Sequence, residues 1–123
     1  MMSTLDEQRR YEAKDRFLRK HVFHGLSDQN DGFDSPAIAH FTAEEFAVVL
    51  ERVRTLGLSI HGIEVFRNED FYTATVPDEE KEDPRDPAWY FNAFARLKAK
   101  ADDLLYSASF DVPDELLDRD AAT

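Results

Sequence analysis

Catalytic and metal-binding chemistry needs particular side chains at particular spacings, and this sequence offers few of them. It contains no cysteine, which excludes a thiolate nucleophile, a disulfide and a thiolate metal site. Neither a Gly-x-Ser-x-Gly turn nor a glycine-rich phosphate loop occurs among its four glycines. The sequence therefore predicts no catalytic residue, no cofactor and no bound metal.

Two segments come closest to a metal motif. His21 and His24 are one helical turn apart, but a zinc site needs three or four ligands, and no third ligand follows at a helical spacing. We favour a helix C-terminus stabilised by partial positive charge. Residues 28–34, Asp-Gln-Asn-Asp-Gly-Phe-Asp, resemble a calcium loop that lacks the glutamate required at position twelve, so an ordinary turn is the simpler interpretation.

Glu64 is an acidic residue in an otherwise apolar strand pattern, between Ile63 and Val65. A buried carboxylate at this position would be a candidate general base, so one hypothesis is an enzyme centred on Glu64 or Glu69. An antiparallel sheet commonly exposes one of its faces to water. We therefore favour a solvent-facing Glu64.

Acidic residues outnumber basic ones by 26 to 15, for a net charge of −11. Such a chain repels nucleic acid and anionic lipid and attracts basic protein surfaces. Residues 78–86 hold six acids and two bases directly before Trp89 and Tyr90, and charges of this kind steer a partner that buried aromatics then hold. The alternative is a solvated loop beside a tryptophan in the core. The predicted partner-binding residues are Asp78, Glu79, Glu80, Glu82, Asp83, Asp86 and Tyr90.

Three predicted helices position this loop. The first covers about 4–24, and the second follows a loop over 26–41; each opens on a capping box, Thr4–Glu7 and Thr42–Glu45. Gly57 ends the second helix. The third begins at Pro87, with Asp86 as its cap.

Three predicted strands complete the fold. They cover residues 58–67, 71–76 and 107–112, and the first two form a hairpin. The apolar residues of the first strand change phase at Gly62, which indicates a β-bulge. The order α-α-β-β-α-β predicts an α+β fold, in which three helices pack on a small antiparallel or mixed sheet of about three strands.

The 123 residues are expected to form a single domain, 1–123, with a core over about 42–112 and a short tail over 113–123, in which residues 114–120 suit a short helical turn. The N-terminus is polar, and no apolar run approaches the roughly 20 residues of a membrane span. We therefore expect a soluble cytoplasmic protein.

The segment from Gly57 to Phe66, Gly-Leu-Ser-Ile-His-Gly-Ile-Glu-Val-Phe, follows an amphipathic helix, and an acidic, proline-containing loop separates it from a Trp-aromatic pair. Over about residues 42–112 this arrangement resembles the immunity protein 40 family of bacterial polymorphic and contact-dependent growth inhibition toxin systems. The family-like positions are Gly62, Glu64, Trp89 and Tyr90.

The resemblance implies a small α+β protein that binds a cognate toxin domain and inhibits it without catalysis. Many such toxins are nucleases with basic clefts, which an acidic protein can occupy. The competing hypothesis is an acidic adaptor or regulatory module that forms a homodimer through the edge of the strand at 107–112. The sequence leaves the oligomeric state open.

Overall fold

The computed structural model of the protein describes residues 4–122 and has an α+β architecture with a three-stranded antiparallel sheet. The order is α-α-β-β-α-β-α, so the expectation of three helices is corrected to four. The elements are α1 Thr4–His21, α2 Ala43–Leu56, β1 Ser59–Arg67, β2 Asp70–Thr75, α3 Pro87–Lys98, β3 Leu104–Asp111 and α4 Asp114–Ala121. Helix α4 replaces the predicted tail, and its Leu117 is buried in the core.

Helix α1 ends at His21 rather than near His24. The Arg52 guanidinium of α2 donates to the carbonyl oxygens of Val22 and His24, both at 2.8 Å, and so satisfies carbonyls just beyond the last turn. The predicted capping box at the start of α1 depends on the Thr4 side chain, which lies outside the described side chains.

Helix α2 has the predicted boundaries, but it forms only one of the two hydrogen bonds of its predicted capping box. The Thr42 hydroxyl accepts from the Glu45 amide at 3.4 Å, and Gly57 ends the helix with a left-handed φ of 71°. The Glu45 carboxylate instead accepts from the Ser27 amide at 2.6 Å. This bond ties the loop over 26–41 to the start of α2.

The sheet order is β2-β1-β3, with β1 at the centre. Ile60 pairs with Phe110 and Gly62 with Ser109, so His61 is an extra residue that bulges out of the ladder. The bulge confirms the predicted phase change, because Ile60 and Ile63 are both fully buried although they are an odd number of positions apart, which in a regular strand would place them on opposite faces. Strand β3 begins at Leu104, three residues before the predicted start at 107.

The hydrophobic core lies between the sheet and the helices. Phe46 of α2 stacks on Tyr106 of β3, and Phe94 of α3 meets both rings with centroids 5.1–5.3 Å apart. Phe17 and Leu18 of α1, and Val22 directly after it, belong to the same cluster. The core therefore extends beyond the predicted range of 42–112.

The loop over 26–41 extends the sheet and covers part of its other face. Phe41 exchanges two backbone hydrogen bonds with Tyr106, at 2.9 and 2.8 Å, along the outer side of β3. The neighbouring His40 is fully buried and packs edge-on against Phe66 of β1. Its Nε2 lies 2.8 Å from Oδ2 of Asp34.

This His40–Asp34 contact makes stability depend on pH. Burial acts to raise the pKa of Asp34, but the hydrogen bonds from His40 and the Ser35 amide outweigh it and hold the pKa below its ordinary value. Because the folded pKa is depressed, the carboxylate stabilises the fold fully above the unfolded pKa, and this contribution is lost as the pH falls through the folded pKa.

Asp34→Asn is accordingly expected to lower the free energy of unfolding by about 1 kcal/mol at pH 7, since it removes one charge from a hydrogen-bonded pair. Urea unfolding at pH 7 and at successively lower pH measures the difference from the wild type, which should shrink as the wild-type carboxylate is protonated. A difference that stays the same across this pH range contradicts the prediction.

Candidate functional site

The acidic loop, residues 78–86, connects β2 to α3 and is fixed to the edge of β1 beyond the end of β2. The Ile60 amide donates to the Pro84 carbonyl oxygen at 3.0 Å. The Ile60 carbonyl oxygen in turn accepts from the Trp89 indole at 3.0 Å, in the first turn of α3. The chain on both sides of the start of α3 is thus anchored to one residue of the central strand.

Carboxylates of the acidic loop also fold the loop itself. Oδ1 of Asp78 accepts from the Glu80 amide at 3.0 Å, and Oδ1 of Asp83 accepts from the Arg85 amide at 2.9 Å. Glu82 accepts from the Asp78 amide at 2.8 Å. Asp86 caps α3 as predicted, with its Oδ1 2.9 Å from the Ala88 amide. Such side chain-to-backbone bonds are the usual stabilisers of Asp-rich turns.

The charge of the acidic loop faces solvent. Glu82 is half-buried and the other five predicted contact carboxylates are exposed. No ion pair among residues 4–122 joins a carboxylate of this loop to a lysine, arginine or histidine. Six acids against two bases therefore leave a concentrated negative surface.

Large apolar side chains are exposed on β2 and directly after it, ahead of the acidic loop in the chain. Phe71, Tyr72 and Val76 are 59%, 40% and 68% exposed, and they are three of the five large hydrophobic side chains exposed among residues 6–122, whose side chains the structure describes. The sequence pattern predicts their strand but gives them no contact role. No sequence signal marks them as exposed, because an aromatic residue in a strand can be buried or exposed, and the register shift at Tyr72 interrupts the alternation of the two faces.

The structure corrects the prediction for Tyr90, which is fully buried and is therefore a core residue rather than a contact. Burial raises the pKa of Tyr90 to about 12, although the nearby Arg54 charge opposes the shift. Its hydroxyl has no hydrogen-bond partner among the described residues. Trp89 is only 1% exposed and anchors α3 in the core.

The other two family-like positions lie on β1. Glu64 is exposed on the face opposite Ile63 and Val65, as predicted, and its cross-strand neighbours are Ser107 and Ala74. Gly62 directly follows the bulge. The carboxylate hypothesis thus rests on a Glu64 that lies on an exposed sheet surface and a Glu69 that lies in the hairpin turn.

The candidate metal ligands bind protein groups instead. Nε2 of His21 lies 2.8 Å from Oδ1 of Asp120, and Oδ1 of Asp28 accepts from the amides of Asn30 and His40. Within residues 4–122, no three or more His, Asp or Glu side chains are grouped so that they could hold a metal ion. The helices of this part of the chain are also too short or too polar to cross a membrane.

Comparison with models of protein families, with curated proteins and with solved structures finds no match to this chain. The candidate site therefore stands on its own geometry: a hydrogen-bonded loop of mostly exposed carboxylates that follows a strand with an exposed Phe71 and Tyr72.

Proposed function

We propose that this protein is a bacterial immunity protein that binds a cognate toxin domain in the cytoplasm and neutralises it by direct, non-catalytic contact. The observation that carries the proposal is the acidic loop, whose six carboxylates form no ion pair with another described residue. The likeness of Gly57 to Phe66 and of Trp89-Tyr90 to the immunity protein 40 family supports the same function.

Two surfaces contribute to the proposed interaction. The acidic loop attracts the basic cleft of a toxin such as a nuclease and occupies the positions that substrate phosphates would take. The exposed side chains of Phe71, Tyr72 and Val76 then supply the apolar contact that resists dissociation. In this proposal the strand β2 takes the anchoring role that the sequence assigned to Tyr90.

The homodimeric adaptor has less support in the geometry. Along the outer side of β3, Phe41 already occupies the backbone groups of Tyr106. Farther along, the Lys14 ammonium donates to the Phe110 carbonyl oxygen at 3.4 Å. A second chain pairing along residues 107–112 would have to displace the Lys14 contact and pass beside Phe41.

Co-expression with the product of the neighbouring gene tests the proposal. With each gene under its own inducible promoter, we expect that product to arrest bacterial growth alone and this protein to restore growth by forming a complex that co-purifies. A product that is harmless by itself, or that stays toxic when this protein is present, contradicts the proposed function. A frameshifted copy of this gene provides the control for the burden of expression.

A further inference from the structure

The outer edge of β2 is open. The N–H and C=O of Tyr106 bond to Phe41, on the side of β3 that faces away from β1. Val65 of β1 lies opposite Tyr106 but does not bond to it, so the N–H and C=O of Val65 point towards Thr73 of β2. Because successive residues of a strand alternate, the N–H and C=O of Ala74 point outward. Apart from the pairing with β1, no hydrogen bond within the described part of the chain reaches the backbone of residues 71–75.

This edge has little of the protection that isolated strand edges usually carry. Natural edge strands are blunted by lysines, prolines or bulges. Residues 70–75 contain no lysine, arginine or proline. Their one protective device is the bulge at Tyr72, which has no partner on β1, and Ala74 lies beyond this bulge in the regularly paired part of β2. With Phe71 and Tyr72 exposed as well, the edge offers both backbone hydrogen bonds and apolar contact.

Charge at the two ends of β2 indicates what binds there. Glu69 and Asp70 lie at its beginning, with Arg67 of β1 as the cross-strand neighbour of Asp70, so one net negative charge remains there. The acidic loop follows at its end. A second copy of this chain, paired antiparallel along β2, would bring the acidic loop of each copy towards Glu69 and Asp70 of the other. Like charges at these positions oppose that pairing. An extended segment with lysine or arginine at both ends complements them instead.

We propose that the outer edge of β2 binds an extended basic segment of the partner protein, which adds a fourth strand to the sheet. Backbone hydrogen bonds to Ala74 and apolar contact with Phe71 and Tyr72 provide the affinity, and the flanking acids select a basic sequence. The inference rests on the proposed function in one respect, because it names how the toxin is held.

The test uses a peptide of alternating valine and threonine with two lysines at each end, and the same peptide with glutamates at the ends. We expect the lysine peptide to bind and to slow hydrogen exchange at the Ala74 amide, and the glutamate peptide not to bind. Absence of binding by the lysine peptide, equal binding of both peptides, or protection confined to residues outside β2 overturns the inference.

Ala74→Pro removes the outward donor at a position where an edge strand tolerates proline, because the N–H takes no part in the native ladder. We expect it to bind the lysine peptide at least about tenfold more weakly, since it loses a backbone hydrogen bond and blocks close pairing. Ala74→Thr keeps the N–H and is the matched control, with unchanged affinity. Equal binding by both variants refutes binding at the edge of β2. If Ala74→Pro does not fold, the hydrogen-exchange measurement on the wild type tests binding at this edge instead.

Co-expression separates this inference from the proposed function. If folded Ala74→Pro rescues growth as fully as the wild type, the immunity function stands and binding at the edge of β2 is refuted. If the wild type binds the lysine peptide at β2 but neutralises no toxin, the edge is a binding site and the immunity function is refuted.

Discussion

Trp89→Ala is expected to lower the free energy of unfolding by about 3–5 kcal/mol, the usual loss when a buried tryptophan is truncated to alanine. The indole is almost completely buried, and its N–H donates to the Ile60 carbonyl oxygen. The variant loses the apolar contacts and leaves that carbonyl without its partner. Since a domain is stable by about 5–15 kcal/mol, this single change brings the protein close to unfolding.

Urea unfolding followed by circular dichroism measures this loss, because Trp89 is the only tryptophan and its fluorescence disappears in the variant. Tyr90→Phe is the matched control. It alters the adjacent buried aromatic but removes a hydroxyl without a hydrogen-bond partner among the described residues, so its free energy of unfolding should stay within about 1 kcal/mol of the wild type. A Trp89→Ala variant as stable as Tyr90→Phe contradicts the anchoring role.

If the proposed toxin partner exists, neutralising the acidic loop is expected to slow association with it by about tenfold or more at low salt, through loss of electrostatic steering. The quadruple variant is Asp78→Asn, Glu79→Gln, Glu80→Gln and Asp83→Asn. Its asparagines keep the oxygens that accept the amides of Glu80 and Arg85, so the fold of the loop is preserved while four charges are removed. Stopped-flow fluorescence measures the association rate.

Salt dependence distinguishes steering from contact. The wild-type association rate should fall as salt rises, and the rate of the quadruple variant should fall less, because salt screens exposed charges beyond about 10 Å at 0.1 M. The control removes four exposed acids outside the loop: Glu12→Gln, Asp102→Asn, Glu115→Gln and Asp118→Asn. If both quadruple variants slow association equally, net charge rather than the position of the loop is responsible.

Local sequence signals predicted the parts of the fold that depend on a few adjacent residues. Thr42, Gly57, Asp86 and Pro87 mark the ends of α2 and the start of α3, and each performs the predicted capping or terminating role. The bulge after Ile60 was also predictable, because a change of phase in an apolar strand has no other simple structural explanation.

Features set by distant residues were not predictable in the same way. Helix α1 ends just before Val22 and His24, whose carbonyl oxygens accept from Arg52 of α2. Asp34 meets His40 only because the intervening loop folds back on itself. The candidate site shows the same limit. Tyr90 and Phe71 are both aromatic residues in amphipathic elements, and only the packing of the helices shows that Phe71 is the exposed one.

The hydrogen bonds inside the acidic loop also bear on which partners are accepted. Because Asp78, Glu82 and Asp83 hold the backbone of the loop, the carboxylates of these three residues keep one spacing before any partner arrives. A rigid array of charges rewards a toxin whose basic groups match that spacing and leaves charges unpaired against one whose groups do not. Discrimination between related toxins would then reside in the geometry of the loop as much as in the number of its charges.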